Sequence, residues 1–122
     1  MAITYFQDTI FQTDSALSAI GVGTALRVAV NNTFSTKDYT LITTVATINT
    51  NVKVSLEGSI DGTNYAEIIT EKTLTANGTY VYNVANTPVR WIRPWFISEA
   101  GGTAATVVFC LAASLDVYSS YY

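Results

Sequence analysis

Asn51-Val52-Lys53-Val54-Ser55-Leu56-Glu57-Gly58-Ser59-Ile60-Asp61-Gly62-Thr63-Asn64-Tyr65 is the most legible stretch of the chain. Val52, Val54, Leu56 and Ile60 fall on one side of a period-two pattern, and Lys53, Ser55, Glu57 and Ser59 on the other. Such alternation predicts a strand over 51–60 with one face in the core and one face wet. Asp61-Gly62 then offers a turn that tolerates positive φ, Thr63-Asn64 lengthens it, and 65–70 returns as the partner strand.

Similar punctuation recurs downstream. Asn77-Gly78 predicts a second hairpin with arms 71–75 and 80–84, and Gly101-Gly102 a third with arms 89–98 and 103–113. The last arm is apolar on both faces: Val107, Phe109 and Leu111 on one, Val108, Cys110 and Ala112 on the other. It is therefore expected to be covered twice, by a second sheet or by a neighbouring subunit. Pro94 lacks an N–H, which puts its part of 89–98 at an edge or a bulge. Upstream, 25–30 and 39–48 read as strands around a polar loop, and 3–11 as a strand or an arm. The one helical signal is a short turn at 14–20, capped by Asp14 or Ser15 and stopped by Gly21 and Gly23. About eight strands result, in an all-β, single-domain antiparallel β-sandwich or jelly roll spanning 1–122. Residues 1–20 form an N-terminal arm or strand, and 114–122 a C-terminal interface tail.

Of the 122 residues, 49% are apolar and only 12% charged, half the usual charged share of about 25%. Nineteen Thr and eight Asn fill the gap. So few charges suit a surface partly covered by other chains; the alternative is a neutral, Thr-rich surface that faces water. The net charge of −3, with six scattered basic residues, argues against phosphate tracking, so no nucleic-acid partner is expected. No apolar run reaches the roughly 20 residues of a membrane helix, and the start of the chain lacks signal-peptide character. Synthesis in the cytoplasm without a membrane partner is the expectation.

Enzymatic chemistry finds little support. The chain has no histidine, which removes His-based triads, the commonest metal ligand and the usual acid–base residue. Its one cysteine, Cys110, lies in an apolar run and reads as a small hydrophobe. No catalytic residue, metal or cofactor is expected. Glu57 and Glu67 face each other across the first hairpin, but a pair of solvated strand charges, balanced by Lys53, accounts for them. Asp61-Gly62 is explained by its turn.

The aromatic residues say more. Trp91, Arg93 and Trp95 share one strand face and, with Asp61 and Asn64, make a candidate ligand platform. Tyr118, Tyr121 and Tyr122 crowd the C-terminus, and Tyr5 and Phe6 the N-terminus. Together with Trp95 these are candidate interface residues, since Tyr joins an apolar body to a polar tip.

The hairpin from Val52 to Tyr65, with its Glu57-Gly58-Ser59-Ile60-Asp61-Gly62-Thr63-Asn64 turn, resembles one in small β-sandwich virion proteins of tailed bacteriophages. Val89-Arg90-Trp91-Ile92-Arg93 and the turn from Ser98 to Ala105 are similar to the other half of that pattern. The likeness covers roughly 52–113, and the tail beyond Ala113 lies outside it. It implies a virion component, most like a capsid decoration (cement) protein, working as a homo-oligomer, a trimer, on the major capsid protein. Discoidin-like carbohydrate-binding sandwiches carry a looser version of both pieces, which makes a carbohydrate-binding or adhesion module of a tail or fibre the alternative.

Overall fold

The alternation at 52–56 appears directly in the structure, where Val52, Val54 and Leu56 are fully buried. The computed structural model describes residues 2–30 and 34–121, and the side chains of 15–29 and 36–113. The described strands are, in chain order, β1 (Ala2–Leu17), β2 (Gly21–Val22), β3 (Leu26–Arg27), β4 (Ala29–Val30), β5 (Phe34–Ser35), β6 (Asp38–Ala46), β7 (Asn51–Ser59), β8 (Ala66–Leu74), β9 (Gly78–Val84), β10 (Trp91–Ala100) and β11 (Thr106–Tyr121). One sheet has the order β1-β11-β6-β9; the other has β2-β10-β7-β8, with β3 also on β10. All pairings are antiparallel.

Taking β2 and β3 as one interrupted strand, and setting aside the small β4–β5 ribbon, eight strands remain. The first pairs with the eighth, the second with the seventh, the third with the sixth and the fourth with the fifth. This is one long hairpin wrapped into two facing sheets, the jelly-roll arrangement. Its core takes Leu41 and Phe109 from one sheet and Val54, Leu56, Ile92 and Phe96 from the other, all with no exposed area. The buried Tyr39 hydroxyl donates to the Thr36 carbonyl at 2.8 Å and accepts from the Val89 N–H at 3.3 Å. Burial raises its pKa, against the opposing hydrogen bond from Thr36.

Several expectations need correction. Of the three expected hairpin turns, only Asp61-Gly62 joins strands of one sheet: β8 and β9 belong to different sheets, as do β10 and β11. Asn77-Gly78 and Gly101-Gly102 are therefore arches from sheet to sheet. The expected helical turn at 14–20 is instead the end of β1, where Ser15, Ala16 and Leu17 pair with Phe109, Val108 and Val107. The strand expected at 25–30 is split in two. Ile60, expected inside, is 69% exposed, because β7 ends at Ser59 and the turn carries it outward. The wet face of β7 is largely covered: Ser55, Glu57 and Ser59 are buried beside their cross-strand partners Trp95, Arg93 and Trp91.

Pro94 sits where β10 has lost its outer neighbour. Trp91 and Ile92 pair with β3, Trp95 and Phe96 with β2, and nothing pairs between them. The Pro94 carbonyl accepts from Gly23 N–H at 2.8 Å. In an antiparallel strand a residue's N and O point to the same side, so the missing donor faces this gap. A Cβ at Gly23 would lie 2.6 Å from Pro94 Cγ, which reserves the position for glycine.

Candidate assembly and binding surfaces

The two outward sheet faces differ in kind. On the five-stranded sheet, Trp91, Arg93 and Trp95 alternate outward while Ile92, Pro94 and Phe96 point in. Arg93 Nε donates to Glu57 Oε1 at 3.0 Å, and its guanidinium lies 3.8 Å from the centre of the Tyr65 ring. The charge partner of Glu57 is therefore Arg93; Lys53 reaches Glu71 instead, at 3.8 Å between half-exposed side chains. Glu57 and Glu67 do stand opposite each other in register. Arg27 sits 5.5 Å over the Trp91 ring. The platform is thus a stacked, ion-paired layer, with one face of Trp91 already occupied.

The Asp61 loop abuts this layer. Gly62 has φ +80°, and a Cβ there would come within 3.0 Å of Trp91 Nε1, so glycine answers both the turn and the close approach. Asp61 Oδ1 accepts from Thr63 N–H and Asn64 N–H, each at 2.8 Å, and from Ser59 Oγ at 3.0 Å; Oδ2 accepts from Asn64 Nδ2 at 2.7 Å. These bonds, the Asn64 and Thr63 N–H groups first, hold the carboxyl far below the usual aspartate range. Asp61 and Asn64 spend their polar atoms on each other. They border a groove of about 360 Å³ whose other walls include Ser59, Ile68 and Val89.

A pH dependence follows. Because the folded pKa lies below the unfolded value of 3.8, the loop's contribution is complete above 3.8 and is lost as pH falls through the lower folded value. Carboxyl NMR is expected to find Asp61 still ionised well below 3.8. A midpoint at the ordinary value would contradict the loop geometry.

The outward face of the four-stranded sheet is built differently. Its rows run straight across β11, β6 and β9: Val108–Thr44–Thr79, Cys110–Ile42–Val81 and Ala112–Thr40–Asn83. Val81 is 58% and Val108 45% exposed. The doubly apolar strand is therefore covered on its inner face alone within the chain. Across 40–46, 79–83 and 106–112 this face carries no charged residue; on the neighbouring β1, Asp14 stands in register with Cys110. Past Ser114, where pairing with β6 ends, β11 continues alone with β1 to Tyr121 opposite Ala2.

That two-stranded extension holds most of the candidate interface residues. Tyr5 lies opposite Tyr118, Phe6 opposite Val117, and Tyr121 opposite Ala2; Tyr122 lies outside the described residues. The termini thus form strands on their own chain, on each other. Trp95 is far from them, on the other sheet. The sequence reading passed over Ile42, Val81 and Thr79, which the topology sets beside Cys110 and Val108. The signal for them was the absence of charge in both segments. Among the described residues, no group of three His, Cys, Asp or Glu side chains is placed to hold a metal ion, and no helix is long and apolar enough to cross a membrane.

No protein-family model matches the chain, and no curated protein matches its sequence. Solved structures do share its architecture. The SPBc2 prophage-derived protein YomS superposes with a TM-score of 0.53 at 7% identity, over 93% of this chain and 96% of that one. A nora virus structure gives 0.45 at 16% identity, over 99% and 61%. The family 32 carbohydrate-binding module of NanJ from C. perfringens gives 0.43 at 18% identity, over 93% and 100%. At such identities the likeness to YomS shows a common fold, and the two lower scores decide nothing further. The class defined is the antiparallel jelly-roll β-sandwich, a scaffold that hosts many unrelated functions.

Proposed function

We propose that this chain is a structural subunit of a tailed-phage virion, a capsid decoration or cement protein that stabilises the head by protein–protein contacts. It works passively, without catalysis, as a homo-oligomer (a trimer) seated on the major capsid protein. The observation that carries this reading is the uncharged stretch of outer sheet face across 106–112, 40–46 and 79–83, with Val81 and Val108 exposed on it. A protein that lives free in solution has no need of such a face, whereas an assembly subunit buries it, and many weak copies together bind firmly. The fold shared with a prophage-derived protein is consistent with this reading. The test is mass spectrometry and cryo-EM of purified particles from a host that makes the chain. Many copies on the outer shell are expected; absence from the particle overturns the proposal.

The second reading, a glycan-binding module of a tail or fibre, is favoured by Trp91 and Trp95 on one outer face beside the Asp61–Asn64 groove. Its readout is quenching of tryptophan fluorescence by host polysaccharide. No change on titration, and none on Trp95→Ala, removes it.

A further inference from the structure

The two sheets have four edges, and three of them are blunted. β8 is interrupted by two register shifts and carries Glu67, Glu71 and Lys72. β1 shifts register between Thr9 and Phe11 and carries Asp8 and Asp14. On the outer side of β10, β2 and β3 have two residues each and a gap between them. Charges, bulges and shortness are the devices by which a sheet edge avoids pairing with another chain. β9 has none of them. It keeps one register with β6 from Tyr39–Val84 to Val45–Gly78. Its sequence, Gly78-Thr79-Tyr80-Val81-Tyr82-Asn83-Val84, holds no charge and no proline, and its Thr, Tyr and Val residues favour strands. Among the described strands, none pairs with its outer side.

The polar side chains of β9 are bonded within their own chain. Thr79 and Thr44 share a hydroxyl hydrogen bond at 3.0 Å, Thr40 Oγ1 donates to Asn83 Oδ1 at 2.8 Å, and the Tyr80 hydroxyl donates to the Ala76 carbonyl at 2.6 Å. What the edge leaves open is its outward backbone N–H and C=O groups, which another strand satisfies. A second copy of β9, antiparallel and centred on Val81, matches them. Val81 then faces Val81 of the second copy, Tyr80 its Tyr82, Thr79 its Asn83 and Gly78 its Val84. Opposite residues lie on one face and interact most strongly, and no rung of this ladder sets a charge against anything. The nearby charges stand outside it. Lys72 Nζ lies 5.4 Å from the centre of the Tyr82 ring, which packs against the core rather than beside Val81. Asp38 lies one residue beyond the Tyr39–Val84 rung and accepts from Asn86 N–H at 3.2 Å. The other three edges make poorer partners, since each would bring its bulge, gap or carboxylates into the ladder.

We propose that two copies of this chain pair edge to edge through β9, antiparallel about a two-fold axis at Val81, and so join their four-stranded sheets into one. The inference goes beyond the assembly reading. A two-fold contact closes on two copies, so it links one trimer to the next rather than building the trimer. Its failure is distinguishable from the failure of that reading, because the mass of the isolated chain does not depend on finding it in a particle. Light scattering after size exclusion is expected to give an even number of chains, at least twice the 13.2 kDa of one. Val81→Lys and Val81→Glu are each expected to halve that mass with an unchanged circular dichroism spectrum. The side chain is 58% exposed, and like charges would meet across the axis. Mixing the two variants in equal amounts is expected to restore the mass, since lysine then faces glutamate. Should one variant not fold, the other alone reads the loss. Glu67→Lys, on the blunted edge β8, leaves the mass unchanged. A wild-type chain that stays single at high concentration, or that assembles in odd numbers, overturns the proposal. So do variants that keep the wild-type mass, and so does a mixture that stays at half of it, because a two-fold at Val81 sets that residue against itself.

Discussion

Replacing Phe109 by alanine is expected to destabilise the fold by about 3–5 kcal/mol and to lower Tm by roughly 10–20 °C. Phe109 has no exposed area and stands in the middle of β11, the strand that the rest of its sheet is hung on. Its cross-strand neighbours are small: Ser15 on β1 and Thr43 on β6. Neither can swing into the vacated space, so the cavity stays open and the loss falls at the upper end for a large-to-small change. Thr43 is itself buried with a hydroxyl that has no hydrogen-bond partner among the described residues, so the layer has no spare stability beside the ring. Urea denaturation compares this variant with Glu67→Ala, an exposed site on the other sheet, expected to stay within about 0.5 kcal/mol. Similar losses for the two would mean that β11 does not direct Phe109 inward.

The strands were legible in the sequence and the way they are joined was not. Alternation at 52–56 and 107–111 reports which residues face the core, because burial acts on each strand separately. Asn77-Gly78 and Gly101-Gly102 report only that the chain reverses. In a wrapped hairpin the innermost turn alone joins neighbours in one sheet, and every other reversal crosses between sheets. The Asp61 turn is that innermost one, and for this reason it was read correctly. Residues 14–17 mislead for a different cause. Asp14 and Ser15 suit a helix cap, but helix propensity is a weak preference, and a full register with the apolar strand β11 outweighs it. The platform was half legible: period two placed Trp91, Arg93 and Trp95 together, while the pairing with Glu57 and the stacking on Tyr65 depend on β7, β8 and β10 lying side by side. Likewise, low charge was legible only as a count over the whole chain. Only the strand order β11-β6-β9 shows that three uncharged segments, distant in sequence, share one face.

Arg93→Ala is expected to cost about 2–3 kcal/mol. The figure lies below the roughly 3–5 kcal/mol of a fully buried pair, because the Arg93 side chain remains 28% exposed. The loss comes less from the attraction removed than from what is left behind. Glu57 is only 8% exposed and would stand in register with Glu67, a buried carboxylate beside a like charge and without its cation. Tyr65 would lose the guanidinium stacked on its ring. Arg93→Lys is expected to recover part of the stability, since an ammonium restores the charge but neither the planar stack nor the Nε donor. Glu57→Gln in the Arg93→Ala background separates the causes. If the stranded charge dominates, the double variant is more stable than Arg93→Ala alone; if packing on Tyr65 dominates, the second change adds nothing or makes matters worse. The first outcome would mean that the Trp91–Arg93–Trp95 layer is held by its ion pair. An exposed layer fixed in this way by its own contacts needs no ligand to hold it.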